Sequence, residues 1–256
     1  MIKNWAEKYT NYNVRFEKLP KHSSWKEFFN QPEVIEKIEK LNKSFSKVLQ
    51  NTNISIFPYP DNVFNAFLYT PLYKLKVCII GQDPYFNSHN IDDIKVPEAM
   101  GLSFSVPKTI PIPSSSLHNI YKNGVAYNNL YKYPNHGNLE FWAFQGVFMF
   151  NTALTVQEGC KLSHAKIWEA FSDLVIKYIS DNCSNIVFVL WGSHALSKKV
   201  LIDVNKHKFV ISSHPSGLSC NKKLGKYPEF NKIDQFGQIN KHLKGIGKKE
   251  IVWHIV

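Results

Sequence analysis

Four short apolar runs punctuate the chain, and a glycine or a polar residue follows each of them. The runs are Lys76–Ile80, Gly146–Phe150, Asn185–Trp191 and Lys208–Ser212. Nearly continuous apolar runs of this length are typical of strands that are buried on both faces. Segments with helical spacing separate them, and this alternation indicates a parallel sheet. We therefore predict an α/β fold with one domain, built on a central four-stranded parallel twisted sheet flanked by helices.

Helical spacing of apolar residues marks the segments around these strands. Ser24 is a candidate cap for a helix over Trp25–Asn30, and Pro32 begins a second helix that runs to Leu49. The remaining predicted helices are Val63–Tyr69, Ser115–Tyr121, Lys166–Ser180, Ser193–Val204 and Tyr227–Leu243. Residues 1–22 are polar and basic with scattered aromatics, so we expect a loosely held arm there and a single domain over residues 23–256.

The residues that follow the four strands carry the candidate chemistry. Asp83 follows the first strand, Asn151 the second, Gly192-Ser193 the third and His214 the fourth. Because the carboxyl ends of parallel strands meet at one edge of a sheet, these residues are expected to share a site. Small-residue loops lie on the same edge, among them Pro111–Ser116, and serine hydroxyls with free backbone amides can bind phosphate oxygens.

The net charge of the chain indicates which classes of partner it is suited to bind. The formal net charge is +11 and the sequence pI about 9.3, which favours a polyanionic partner. Nucleic acid is the first such partner to consider and an anionic membrane surface the second. The four cysteines form no Cys-x-x-Cys pair, and Cys78 lies inside a buried run, so neither a disulfide framework nor a zinc site is indicated.

The chain has no apolar run near the ~18–20 residues that a membrane-spanning helix needs. Met1–Thr10 contains charges and no hydrophobic segment of the signal-peptide type. We therefore expect an intracellular protein. The sequence does not distinguish a nucleus, a bacterial cytoplasm or a viral replication site.

Five motifs, in this order along the chain, resemble those of family 1 uracil-DNA glycosylases. They are the Gly-Gln-Asp-Pro-Tyr segment at 81–85, Gly101–Val106, Phe150–Val156, Leu190–Ser193 and His214–Ser219. The resemblance extends from about Ser24 to Trp253. It implies an enzyme that flips uracil out of DNA and hydrolyses the bond between base and deoxyribose, leaving an abasic site for base excision repair.

The resemblance also implies a role for each residue of the site. Asp83 and His214 are the expected catalytic residues: the first stabilises the sugar cation and positions water, and the second donates a hydrogen bond to uracil O2. Phe104 stacks on the base, Asn151 pairs with O4 and N3–H, and Tyr85 excludes the methyl group of thymine. Gln82 contributes its backbone amide to the uracil pocket.

The expected partner is uracil-containing DNA, single- or double-stranded, bound by a monomer. Leu218 is expected to enter the base stack as an apolar wedge, while the loops grip the backbone. The implied DNA-binding residues are Pro111, Ser114, Ser115, Ser116, Gly192, Ser193, Ser216, Leu218 and Ser219. A proteinaceous inhibitor of uracil glycosylases or replication proteins are further candidate partners, and no metal or organic cofactor is implied.

The chain departs from the family pattern at three places. Phe86 stands where a histidine is usual, with His89 as a candidate substitute, and Gly217 replaces a proline. The segment between Tyr85 and Gly101 is longer than usual and contains Asp92, Asp93 and Glu98, which we expect to point away from DNA. These departures keep open an alternative function, a non-catalytic DNA-binding or replication-accessory protein that retains the glycosylase fold.

Overall fold

The structure is a computed structural model that describes residues 4–16, 24–51, 54–113 and 116–255. Its strands, in chain order, are β1 (Ile56–Phe57), β2 (Val77–Gly81), β3 (Ser88–Ile91), β4 (Ile94–Pro97), β5 (Val147–Asn151), β6 (Val156–Gln157), β7 (Val187–Trp191) and β8 (Lys208–Ser212). The four strands predicted from apolar runs form one parallel sheet in the order β5-β2-β7-β8. Every residue of β2, β5 and β7 is buried, as their uninterrupted apolar character predicts.

The helices lie between and around the strands and cover the sheet. They are α1 (Trp5–Lys8), α2 (Lys26–Phe29), α3 (Pro32–Leu49), α4 (Asn65–Tyr69), α5 (Ser116–Ala126), α6 (Glu140–Phe144), α7 (Ala165–Asn182), α8 (Gly192–Ser197) and α9 (Gln235–Gly245). The helix predicted from Pro32 to Leu49 is confirmed at both ends. This α/β architecture with a parallel sheet flanked by helices is the predicted one.

Some predicted helix boundaries and one predicted cap were wrong. The segment predicted as one helix over Ser193–Val204 divides into α8 and a 3₁₀ turn at Lys198–Leu201. The last helix begins at Gln235 rather than Tyr227, because Asp234 accepts the Gly237 N–H at 2.8 Å and caps the helix there. Ser24 does not cap α2; its hydroxyl accepts the Leu72 N–H instead, at 2.7 Å.

The amino-terminal segment packs more tightly than the predicted loose arm. Trp5, Tyr9, Val14 and Phe16 are buried in the main hydrophobic core. The Trp5 indole donates to the Ile56 carbonyl at 3.1 Å, which ties α1 to β1. The expected domain boundary at residues 22 and 23 lies outside the described residues and stays a prediction.

The register of the sheet decides what meets at its carboxyl edge. Gly81, the last residue of β2, lies beside Asn151, the last residue of β5. On the other side, Trp191 at the end of β7 lies beside Ser212 at the end of β8. All four strands run in the same direction, so the segments that follow them converge on one edge.

Candidate active site

A cavity of about 560 Å³ opens at this carboxyl edge. Residues at or just beyond the ends of the four parallel strands line it: Asp83, Asn151, Gly192 and His214. The other candidate uracil-binding residues, Gln82, Tyr85 and Phe104, line the same cavity. The structure therefore brings together all six residues expected to bind uracil or to catalyse its release.

The floor of the cavity depends on a close approach of Gly81 to Asn151. A Cβ atom on Gly81 would lie 2.1 Å from Asn151 Oδ1 and 2.8 Å from the Ser103 Cβ atom, distances that real structures do not show. Only glycine leaves the space that the buried Asn151 amide occupies. The Gly-Gln-Asp motif thus shapes the neighbouring strand end as well as presenting its own acid.

Asp83 lines the cavity and is partly buried. Its Oδ2 accepts the Leu162 N–H at 2.9 Å. Burial raises the pKa of the Asp83 carboxyl above its ordinary value, while the Leu162 hydrogen bond and the charge of Lys161 act in the opposite direction. An ionised Asp83 can stabilise a positive charge on a bound ligand or accept a proton from water.

His214 is held in one tautomer by its own loop. The Ser216 N–H donates to His214 Nδ1 at 3.1 Å, so the neutral ring carries its proton on Nε2. Burial lowers the pKa of His214 to about 4, helped by the charge of Lys161. At neutral pH the side chain is therefore a neutral hydrogen-bond donor at Nε2.

A second glycine brings His214 close to the third strand end. Gly192 has φ +90°, and a Cβ atom there would lie 2.9 Å from the His214 Cβ atom. Opposite, Phe104 has φ +62°, a left-handed conformation that a phenylalanine keeps only where its surroundings impose it. Its ring lies 5.6 Å from that of Trp191 and 6.1 Å from that of His214, centroid to centroid. The aromatic face of the cavity is thereby fixed in place.

The candidate DNA-binding residues divide between the rim of the cavity and its surroundings. Ser116, Gly192, Ser193, Ser216, Leu218 and Ser219 line the cavity. Pro111 is exposed and is not among the lining residues, although Pro113 is. Ser114 and Ser115 lie outside the described residues. Leu218 is 83% exposed, and Asn119 donates to the Pro215 carbonyl at 2.7 Å, which anchors the loop that carries it.

Comparison with known proteins identifies the family. The family model described as the uracil DNA glycosylase superfamily matches residues 67–244. A probable uracil-DNA glycosylase of Acanthamoeba polyphaga mimivirus is 39% identical over 99% of this chain and 70% of its own length. A uracil-DNA glycosylase of Francisella tularensis subsp. novicida is 46% identical over 78% of this chain and 85% of its own. The chain belongs to the uracil-DNA glycosylase family.

The structural comparison agrees. The crystal structure of mimivirus uracil-DNA glycosylase covers 100% of this chain, with 95% of its own chain matched, a TM-score of 0.92 and 38% sequence identity. The predicted fold and function are thereby confirmed: the protein is a DNA repair hydrolase that acts on N-glycosidic bonds in base excision repair. No helix in the described parts of the chain is long and apolar enough to cross a membrane.

One group in the site of this glycosylase was missed by the sequence analysis. His194 Nε2 lies 2.7 Å from Thr152 Oγ1, and the same hydroxyl donates to the Gln82 carbonyl at 3.0 Å. Because the hydroxyl proton is used on Gln82, Thr152 accepts from His194, which must carry a proton on Nε2. The relay connects α8 with the backbone just before Asp83. Thr152 lies within the motif Phe150–Val156, and His194 directly follows the motif Leu190–Ser193.

The long segment after Tyr85 is a hairpin, β3–β4, with Asp92 and Asp93 exposed at its turn. The expectation that its acids point away from the site was wrong for Glu98. This residue is buried, lines the cavity and lies 3.1 Å from His89 Nε2. His89 is thus engaged with Glu98, while Phe86 packs against the small cluster of Phe57, Ala99 and Val156.

Proposed function

We propose that uracil is bound and released in the cavity at the sheet edge, with Asp83 and His214 acting on opposite sides of the breaking bond. The observation that carries this proposal is the fixed tautomer of His214. Its Nδ1 accepts the Ser216 N–H, so its Nε2–H is directed to a ligand as a neutral donor.

Hydrolysis of a glycosidic bond makes the sugar resemble a cation and the departing base resemble an anion. Asp83, ionised, stabilises the sugar cation and orients or deprotonates the attacking water. His214 donates to uracil O2, where negative charge develops. The hydrogen bond from His214 strengthens as negative charge develops on O2, so it stabilises the transition state more than the bound substrate.

Recognition of uracil is assigned to the floor. The Asn151 amide donates to O4 and accepts from N3–H, a pattern that cytosine does not offer, so a bound cytosine would leave buried polar groups unpaired. Tyr85 occupies the space beside C5 and excludes the methyl group of thymine. Phe104 stacks on the base, a contact worth roughly 1–3 kcal/mol in comparable systems. Gln82 contributes its backbone amide.

The rim is assigned to DNA. Leu218 enters the base stack and offsets the unstacking of the flipped nucleotide, and the serine-bearing loops hold the backbone. We expect the protein to act on both single- and double-stranded DNA. We expect it to act within the cell. A variant of the mimivirus relative was crystallised with UGI, so we propose that a proteinaceous inhibitor of this kind also binds the present rim. Replication proteins are further candidate partners, and the chain is expected to act as a monomer.

The proposal is tested by incubating the protein with DNA that contains a single uracil and cleaving the abasic product with alkali. Strand breaks at the uracil position, and none at thymine or cytosine, are expected in both single- and double-stranded substrates. DNA that stays intact with excess protein would instead favour the non-catalytic accessory role. Inhibition by UGI in the same assay tests the proposed inhibitor contact.

A further inference from the structure

The charges around the cavity are unevenly distributed for a site that binds a polyanion. Two carboxylates line it, those of Asp83 and Glu98. Among the described residues that line it, Lys161 is the one lysine or arginine. We propose that Lys161 binds a phosphate of the DNA strand beside the flipped nucleotide and supplies the cation that the mouth of this cavity otherwise lacks. The inference rests on the DNA site proposed above.

Two backbone hydrogen bonds hold Lys161 at the mouth of the cavity. It belongs to the segment 158–163, which we call the lysine loop. The Gly159 N–H donates to the Phe86 carbonyl at 2.9 Å, and the Leu162 N–H donates to Asp83 Oδ2 at 2.9 Å. One bond lies on each side of Lys161, so the loop is docked directly on the segment that carries the catalytic acid.

The base of the lysine loop is anchored as well. Ser163 Oγ accepts the Gln157 N–H at 2.8 Å, and the Glu158 carboxylate accepts the Ser88 hydroxyl at 2.6 Å. Gly159 and Leu162 both have positive φ, at +74° and +63°, which sets the turn that presents Lys161. These contacts fix the backbone of Lys161 at the mouth of the cavity.

The Lys161 side chain is available for a ligand. The residue is exposed, and within the described parts of the chain it has neither an ion pair nor a hydrogen bond. Its charge nevertheless acts on the site: it opposes the rise that burial causes in the pKa of Asp83, and it adds to the lowering that burial causes in the pKa of His214. An unpaired ammonium group that is close to the reacting groups and open to solvent is suited to a strand phosphate rather than to the enclosed base.

A phosphate contact has a measurable signature. Each phosphate neutralised by a protein cation releases counterions and adds about 0.9 to the slope of log affinity against log salt for duplex DNA. The test measures binding of a duplex carrying a stable abasic-site analogue, by fluorescence anisotropy from 50 to 200 mM KCl. The variants are Lys161→Gln and Lys161→Arg, with Lys43→Gln as the control, because Lys43 is exposed on α3 and does not line the cavity.

Lys161→Gln is expected to reduce the slope of log affinity against log salt by about one unit. Between 50 and 200 mM KCl, the fold-loss of affinity of this variant should therefore be about 3.5 times smaller than that of the unmodified protein. Lys161→Arg and Lys43→Gln are expected to keep the original slope. An unchanged slope in Lys161→Gln would overturn the inference, as would a fall in kcat with unaltered binding, which would place Lys161 at the reaction centre. Uracil excision by the unmodified protein, measured in parallel, separates failure of this inference alone from failure of the proposed site.

Discussion

The floor of the cavity and its rim are constructed differently. On the floor, Asn151 and His214 are held by close approaches to Gly81 and Gly192 that leave no room for a further carbon atom. On the rim, Leu218 is 83% exposed, and a Cβ atom on the neighbouring Gly217 would have nothing within 4 Å. In the proposed function the rigid floor discriminates between bases, whereas the rim accommodates any DNA sequence.

This contrast predicts where substitutions act. A change on the floor should alter turnover or base selection and leave DNA affinity largely intact. A change on the rim should alter DNA affinity or its dependence on salt and strandedness, and leave base selection intact. The following variants test that separation, beginning with the largest expected effect.

Asp83→Asn is expected to have the largest effect. The amide keeps the shape of the side chain and removes the charge that stabilises the sugar cation, so kcat should fall about 10²–10⁴-fold. The dissociation constant for uracil-containing DNA should change little. Single-turnover excision and anisotropy titrations measure the two quantities separately, and equal losses in both would contradict the assignment of Asp83 to catalysis.

Gly81→Ala is expected to impair the floor without removing a reacting group. The added Cβ atom would lie 2.1 Å from Asn151 Oδ1 and must displace that amide. Overpacking of this kind costs about 1–3 kcal/mol, which corresponds to about 5–150-fold in kcat/KM if the strain falls on uracil recognition. The variant should also lose preference for uracil over cytosine, measured as a ratio of excision rates.

Gly217→Ala is the matched control for that variant. Its Cβ atom would meet open space, so excision should be unchanged and stability equal or slightly higher. Thermal unfolding of both variants shows whether Gly81→Ala is still folded. A floor that tolerated the methyl group as well as the rim does would remove the distinction drawn between them.

The pH profile tests the floor without mutation. In the proposed mechanism the active form has Asp83 ionised and His214 neutral. Burial raises the pKa of Asp83 and lowers that of His214 to about 4. As pH falls, Asp83 is therefore protonated at a higher pH than an ordinary aspartate, and kcat/KM should fall about tenfold per unit below that pKa. His214→Gln should lower the plateau about 10²–10³-fold and leave the acid limb in place. If the acid limb disappeared in His214→Gln, the titrating group would be His214 and not Asp83.

Much of the floor could be predicted from the sequence because it follows from short-range rules. Apolar runs give buried strands, parallel strands share an edge, and Asp83, Asn151 and His214 lie at or within two residues of the ends of three of them. The helix from Pro32 to Leu49 could also be predicted from the sequence, because a proline begins it and the helical spacing of apolar residues continues to its end.

The features that were missed depend on how segments of the chain pair and pack, rather than on the periodicity of any one segment. Glu98 looks like a surface acid until the β3–β4 pairing brings His89 beside it. His194 lies 42 positions from Thr152, its partner. The amino-terminal segment has a polar composition, and only its packing reveals that Trp5 and Phe16 belong to the core. No local pattern contains this information.

Leu218→Ala is the smallest of these effects and the most specific to the rim. Partial burial of a leucine side chain in the base stack contributes about 1–1.5 kcal/mol, so excision from duplex DNA should fall about 5–12-fold. A single strand has no partner bases to be separated, so its excision should change much less. Val200→Ala is the matched control, because Val200 is 88% exposed in the 3₁₀ turn after α8 and does not line the cavity. Equal losses on single and double strands would show that Leu218 contacts the flipped nucleotide itself, and the wedge assignment would have to be given up.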